Sequence, residues 1–136
     1  MAVGFLYHRA SARVLLHLRA TDAPTSPGAW AFLGGHCEPQ DGGDPVATWC
    51  REVQEEAGII LDPAQVVLLC DGTDERGVRY WDFFAEWPST DTTLVLGEGQ
   101  ALEWFTLEDA LALPNLAPYA RIDLLRFRAR LAQDFP

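Results

Sequence analysis

No stretch of this chain approaches the roughly 18 consecutive apolar residues that a bilayer span requires, and no charged-then-apolar leader opens it. Membrane insertion and secretion are therefore not expected, and a cytoplasmic location is. Cysteine is scarce. Cys37, Cys50 and Cys70 are odd in number and lack metal-ligand spacing, which favours reduced thiols with structural roles over a disulfide framework. Positive charge is scarce too: ten Arg and Lys face twenty Asp and Glu, a net charge of −10. Binding a nucleic-acid backbone needs a basic surface, so a polymeric nucleic acid is not an expected partner. Linkers and internal repeats are also missing. With 136 residues, 49% of them hydrophobic, the chain can bury one proper core but not two, so a single domain over residues 1–136 is expected.

What the chain does have is the run Arg51-Glu52-Val53-Gln54-Glu55-Glu56-Ala57-Gly58-Ile59. A helix is predicted here with clear ends. Asp44 suits the N-cap, Pro45 the first helical position, and Gly58 a left-handed C-terminal stop. Val46, Trp49, Cys50, Val53 and Ala57 make one apolar stripe, and at about 100° per residue the three glutamates centre roughly 120° away from it. Glu52, Glu55 and Glu56, at i, i+3 and i+4, thus crowd onto one face despite their repulsion. A solvated surface is the plain reading of such a cluster; a bound cation is the other. Upstream, Trp30-Ala31-Phe32-Leu33 reads as a short apolar strand ending in Gly34-Gly35, where a backbone can turn and approach a ligand closely. Strand, glycine loop and acidic helix together suit phosphate and metal, and a small polyphosphate held through divalent cations is compatible with the acidic charge.

These residues resemble the Nudix hydrolase family, and in particular its MutT-like nucleoside triphosphate pyrophosphohydrolase branch. The family's box reads G-x5-E-x7-R-E-U-x-E-E-x-G-U, with U aliphatic; the chain supplies Gly35, Arg51, Glu52, Val53, Glu55, Glu56, Gly58 and Ile59. There are departures. Sixteen positions separate Gly35 from Arg51 where the pattern has 14, so the loop Gln40-Asp41-Gly42-Gly43-Asp44 carries a two-residue insertion. Counting back eight from Arg51 places Gly43 where the first box glutamate belongs. Asp41 or Asp44 could substitute, with Asp44 already suited to capping. In the family that glutamate braces the loop and the box arginine, so its loss bears on rigidity more than on chemistry. Leu33 also replaces the proline that commonly precedes the glycine pair.

The resemblance implies an α/β/α sandwich with a mixed β-sheet between helices, and the chain's own patterning agrees. Strands are predicted at Ala2 to His8, Arg13 to Arg19, Ala31 to Leu33, Gln65 to Cys70, Val78 to Trp87 and Ala101 to Phe105. Further helices are predicted at Thr106 to Leu111 and Pro118 to Leu131, the last with Ile122, Leu125 and Phe127 supplying apolar contacts.

By resemblance the reaction is Mg²⁺-dependent hydrolysis of a nucleoside diphosphate linked to X, with Mn²⁺ a possible substitute. A pyrophosphate resists water because its oxygens are anionic, so a catalyst must neutralise that charge and hold the nucleophile in line. Hard cations take oxygen ligands. The expected metal set is Glu52, Glu55, Glu56, the Gly34 carbonyl and Glu98, the last in a flexible Leu96-Gly97-Glu98-Gly99-Gln100 loop. Similar EGQ segments in the triphosphate branch deliver an extra carboxylate, and Glu103 is the fallback. Glu52, Glu55, Glu98 and Arg51 form the expected catalytic set. Glu52 or Glu98 would deprotonate the attacking water, unless the ions alone activate it, and Arg51 would orient the glutamates or brace the loop. Arg19 matches a substrate-touching arginine of the same branch, or is simply a charge ending a strand. Trp30 and Phe84 are candidates for stacking on a base, though most aromatics should be core. Asn115 lies near where relatives place a base-reading asparagine, or is a turn residue.

The leading expectation is a nucleoside triphosphate giving nucleoside monophosphate and pyrophosphate. The alternatives are a nucleotide-sugar or dinucleotide pyrophosphatase, and a regulatory module that binds nucleotides without hydrolysing them. The partner is a small nucleotide, and the protein a monomer or homodimer.

Overall fold

A computed structural model describes residues 1–134, so the last two residues of the expected domain lie outside the described residues. Seven strands form one mixed sheet: β1 (Ala2–His8), β2 (Arg13–Leu18), β3 (Trp30–Ala31), β4 (Leu33–Gly35), β5 (Val66–Thr73), β6 (Arg79–Glu86) and β7 (Ala101–Thr106). The helices are α1 (Pro45–Ala57), α2 (Leu107–Leu111) and α3 (Pro118–Asp134). β1 and β6 run parallel and the other pairs antiparallel.

The sheet splits at its centre, and the split makes the site. β1 and β2 pair only through Tyr7–Val14 and His8–Arg13 before they diverge. Into the gap runs the segment 30–35, with β3 against the end of β2 and β4 against the start of β1. The single short strand predicted here is therefore two, interrupted at Phe32, whose N–H donates to Tyr119 Oη at 3.1 Å instead of to a neighbouring strand. The glycine pair is thereby delivered to an interior edge of the sheet.

Alternation along β1 sorts the chain into two cores. Phe5 and Tyr7 join Phe84, Leu124 and Phe127 under α3, while Ala2 and Leu6 join Leu33, Trp49, Val53 and Ala57 under α1. Gly4 faces α1, and a Cβ there would lie 2.7 Å from the Trp49 ring and 2.3 Å from the Phe83 carbonyl oxygen. The missing side chain lets the indole rest on the sheet, where Trp49 Nε1 donates to the Leu33 carbonyl at 3.0 Å. This bond ties α1 to the strand that carries the glycines.

Helix α1 has its predicted bounds: Asp44 accepts from the Val46 N–H at 2.9 Å, and Gly58 ends the helix at φ 71°. In α3 the phase differs from expectation. Ala120, Asp123, Leu124 and Phe127 face inward, whereas Ile122 and Leu125 are exposed. The i, i+3, i+4, i+7 spacing of the first set makes the inward stripe, and the other two fall beside it.

Candidate active site

Arg51 is the hub of the site. Its Nε donates to Asp41 Oδ1 at 2.9 Å and its Nη2 to Asp41 Oδ2 at 3.1 Å, a two-pronged carboxylate grip. Nη1 reaches Glu52 Oε1 at 3.0 Å and Glu55 Oε2 at 3.2 Å, and Nη2 also donates to the His36 carbonyl. One guanidinium thus joins the glycine loop to two helix glutamates, which supports the bracing role expected of Arg51.

Asp41 is the residue that sequence reasoning left undecided. It is buried, and it accepts from Thr48 Oγ1 and from the Glu38 N–H, both at 2.8 Å, in addition to Arg51. These donors, the arginine first, hold its carboxyl well below the usual carboxylate range. The Asp44 side chain caps α1, while its backbone joins the network, its N–H donating to the Asp41 carbonyl at 3.1 Å and its carbonyl accepting from Thr48 Oγ1 at 3.3 Å. Gly42 and Gly43 both adopt left-handed backbone (φ 63° and 76°), turning the chain between the brace and the cap.

The three helix glutamates do not share one environment. Glu55 is open to solvent, with its side chain 56% exposed, and Glu52 is 13% exposed. Glu56 is buried at 2%. Seven residues from Trp49 is two turns less about 20°, so Glu56 falls beside the buried stripe and not on the outer face expected for it. Its carboxylate accepts from the Gly34 N–H at 2.8 Å. Burial pushes its pKa up to about 8 against that hydrogen bond, with the like charges of Glu52 and Glu98 adding to the rise. Burial likewise raises Glu52, opposed by Arg51. Gly35 makes room for this: a Cβ there would lie 2.6 Å from Glu52 Oε1.

The segment that precedes β7 carries Glu98 past the end of α1, and the Glu98 charge raises the pKa of both Glu52 and Glu56. This segment was expected to be flexible, yet it is tied at four points, one of them the Gln100 Nε2 bond to the Arg19 carbonyl at 2.8 Å. Gly97 N–H donates to the Glu56 carbonyl at 3.1 Å, and Gln100 N–H to the Leu18 carbonyl at 2.8 Å. Between them the Glu98 carbonyl accepts from His17 Nε2 at 2.7 Å. Since a carbonyl only accepts, His17 carries its proton on Nε2. His17 is buried and was not foreseen; in sequence it is one polar residue inside an apolar strand, with nothing to mark it as a loop anchor.

Arg19 lines a cavity of about 210 Å³ together with His17, Asp22, Pro24, Glu98 and Gly99. Its guanidinium donates to Thr25, and its charge is felt at Glu56. A larger surface depression of about 420 Å³, lined by His8, Arg9, Glu86 and Trp87, lies at the opposite end of β1 and shares no residue with the acidic set. The remaining candidates sit elsewhere. Phe84 is a core residue, stacked on Phe5 at 6.0 Å with Arg130 over its ring, which corrects its nomination as a base platform. Trp30 is half-buried, edge-on to Phe105 at 4.9 Å. Asn115 donates from Nδ2 to the Gly28 carbonyl at 3.1 Å, so its amide is engaged in holding the 20–29 loop. Glu103 is exposed on β7, opposite Leu16.

The NUDIX domain family profile matches residues 1–126. The chain belongs to the Nudix hydrolase family. The Nudix fold is matched by the NUDIX domain of Shewanella oneidensis NrtR complexed with ADP ribose (TM-score 0.74, 24% identity, 96% of this chain and 84% of that one). A MutT NUDIX hydrolase from Burkholderia pseudomallei is similar at TM-score 0.64 and 28% identity, over 92% of this chain and 95% of that one. A C. elegans Ap4A hydrolase is similar at 0.68 and 26%, over 97% and 98%. No curated protein sequence matches the chain. As a Nudix hydrolase it is a pyrophosphohydrolase. The box departure can now be read differently: six positions after Gly35, with five residues between, comes Asp41, the position of the first glutamate counted forward, so the two extra residues fall between Asp41 and Arg51.

By its chemistry, though not by any close convergence of its oxygens, the donor set suits a hard divalent cation. Glu52, Glu55, Glu56 and Glu98 offer oxygen only, two of them largely withdrawn from water, and like-charge repulsion among them is what a cation would relieve. Among the described residues no helix is long and apolar enough to cross a membrane.

Proposed function

We propose that this Nudix hydrolase cleaves the pyrophosphate linkage of a small nucleotide with Mg²⁺ bound to Glu52, Glu55, Glu56, Glu98 and the Gly34 carbonyl, Mn²⁺ being a possible substitute. The preferred substrate is a nucleoside triphosphate, giving nucleoside monophosphate and pyrophosphate. The observation that carries this reading is the buried Glu56 carboxylate, held on the Gly34 N–H beside Glu52 and within the field of Glu98. A buried carboxylate hydrogen-bonded only to a backbone N–H, with like charges nearby, is the kind of arrangement that functional sites hold in place and that a bound cation would relieve.

When bound by these carboxylates, the metal would supply charge neutralisation at the phosphate and a more acidic water. The chain's own residues do the rest. Arg51, gripped by Asp41, fixes the loop against α1 and orients Glu52 and Glu55. Glu52 or Glu98 accepts the proton of the water, and the His17 bond keeps Glu98 at that position. Arg19 and its cavity receive the distal phosphate or sugar, a guanidinium fork being suited to phosphate oxygens. Trp30 and Asn115 bound the neighbouring 20–29 loop and shape the pocket for the base. The acting unit is one domain over residues 1–136, a cytoplasmic monomer or homodimer with no role for polymeric nucleic acid or a membrane.

A second reading, a dinucleotide or nucleotide-sugar hydrolase, is favoured by the likeness to an Ap4A hydrolase and to a domain complexed with ADP ribose. Product analysis decides between them, run with Mg²⁺ and with chelator over nucleoside triphosphates, nucleotide sugars, ADP-ribose and dinucleoside polyphosphates. Metal-dependent pyrophosphate release from triphosphates supports the first reading. Preference for a sugar nucleotide or dinucleotide supports the second. Nucleotide binding without turnover across the panel, by folded protein, would make the chain a regulatory module.

A further inference from the structure

Away from the acidic helix, Cys70 on β5, Asp82 on β6 and Asp123 on α3 converge at the edge of the sheet, with their ligating atoms all within 4.8 Å of one another. The pairing puts Cys70 directly opposite Asp82, at the irregularity between Leu68 and Cys70 that shifts the ladder. Cys70 Sγ lies 3.6 Å from Asp82 Oδ2 and 3.4 Å from Asp123 Oδ1. Asp82 is 6% exposed and Asp123 3%. Two buried carboxylates are unfavourable unless their oxygens find donors or cations. Arg126 supplies one cation, its Nη1 donating to Asp123 Oδ1 at 2.8 Å and to Cys70 Sγ at 3.1 Å. Asp123 Oδ2 is buried with no hydrogen-bond partner. The cluster therefore holds more acceptors than its neighbours satisfy.

We propose that Cys70, Asp82 and Asp123 form a second cation site, selective for a thiophilic divalent ion of the Zn²⁺ class and separate from the helix glutamates. Around a tetrahedral ion with metal–sulfur near 2.3 Å and metal–oxygen near 2.0 Å, each sulfur–oxygen edge is about 3.5 Å. The two observed sulfur–oxygen separations, 3.6 and 3.4 Å, lie close to it. Charge also closes: a thiolate and two carboxylates against one divalent ion and Arg126. The thiol proton, and the proton that burial favours on the Asp82 and Asp123 pair, leave to solvent on binding. Arg126, its side chain 50% exposed, can yield its bridging position and keep a bond to an outer carboxylate oxygen. Sulfur in the set disfavours Mg²⁺, which takes oxygen ligands. The ion would clamp α3 to β5 and β6, a link that the sequence conceals because its three ligands are scattered over 54 positions.

The test uses Co²⁺ as a spectroscopic probe, titrated into the full chain with Mg²⁺ in excess so that the helix glutamates stay occupied. The expected result is a thiolate-to-Co²⁺ charge-transfer band with intense tetrahedral visible bands, bleached by one equivalent of Zn²⁺. Cys70→Ser should abolish the charge-transfer band, and Asp123→Asn should weaken binding by about tenfold or more. Zn²⁺ should raise the melting temperature of the wild-type chain and not that of Cys70→Ser, with circular dichroism reporting that both are folded. No band from folded wild-type protein would overturn the proposal and leave a proton shared between Asp82 and Asp123 as the occupant. A band that survives Cys70→Ser would overturn it too, by assigning the sulfur to Cys37 or Cys50.

Discussion

Replacing Glu56 by Gln tests the electrostatics of the site without any substrate. In the metal-free protein, burial raises the Glu56 pKa from 4.5 to about 8. The folded state therefore holds this proton more tightly than the unfolded one. That contribution to stability is complete below the unfolded value and is lost as pH rises through the folded value. Integrating between about pH 5 and pH 8 gives a loss on the order of 3 kcal/mol from this one group, an upper figure because some relaxation or water entry is expected. Glutamine keeps the acceptor for the Gly34 N–H and has no proton to lose. With chelator present, Glu56→Gln should thus gain on wild type by about 2–3 kcal/mol between pH 5 and pH 8 in urea denaturation. Comparing the two proteins cancels Asp82, whose burial beside Asp123 also raises its pKa. Saturating Mg²⁺ should flatten the wild-type slope, since a cation favours the charged carboxylate. Parallel stability curves for wild type and Glu56→Gln, within about 0.5 kcal/mol across that range, would refute the reasoning.

Under turnover conditions the same Glu56→Gln variant should lose activity by roughly a hundredfold or more while staying folded; a near-wild-type rate would remove Glu56 from the metal set. Asp41→Asn should lower kcat and speed proteolytic nicking in the 36–44 loop, and Asp41→Glu should restore part of both, as read by steady-state kinetics and limited digestion. His17→Phe should raise the Mg²⁺ concentration needed for half-maximal rate by a larger factor than nucleotide KM, because the bond it loses is the one that holds the Glu98 carbonyl. Gly4→Ala should cost about 2 kcal/mol of stability in denaturant titration, since its Cβ would overlap the Trp49 ring and the Phe83 carbonyl.

The elements legible in the sequence were those with local punctuation. Helix α1 carries its own cap, its own stop and a clean stripe, and its bounds in the structure are the predicted ones. The box residues Arg51 to Ile59 likewise form one contiguous run. What the sequence did not show was set by distant contacts. Phe32 interrupts a strand because Tyr119, 87 positions away, takes its N–H. The EGQ segment reads as flexible from its glycines, yet Gly97 and Gly99 are small because other atoms fill their space: Cβ atoms there would meet the Glu55 carbonyl and the His17 ring. Glycine marked close packing there and not mobility. Ile122 and Leu125 were assigned to the core on composition, while the phase of α3 turns them outward.

The altered box makes the same point in the chemistry. Counting back from Arg51 lands on Gly43, and by that count the brace is gone. Counting forward from Gly35 lands on Asp41, and the structure shows Asp41 bridged to Arg51, Thr48 and the Glu38 N–H at once. An aspartate is one methylene shorter than the family's glutamate, so it reaches the guanidinium only if the backbone comes closer. The Pro39–Asp41 helical turn brings it closer, with Glu38 and Asp41 capping each other, and Gly42-Gly43 absorbs the extra chain in left-handed backbone before Asp44 starts α1. The shorter acid and the longer loop are then one compensated change. Deleting Gly42 and Gly43 alone should therefore impair turnover, because α1 would start before Asp41 could reach Arg51; combined with Asp41→Glu, the deletion should recover it. Full activity in the deletion alone, measured with the preferred substrate, would show that the two departures are independent.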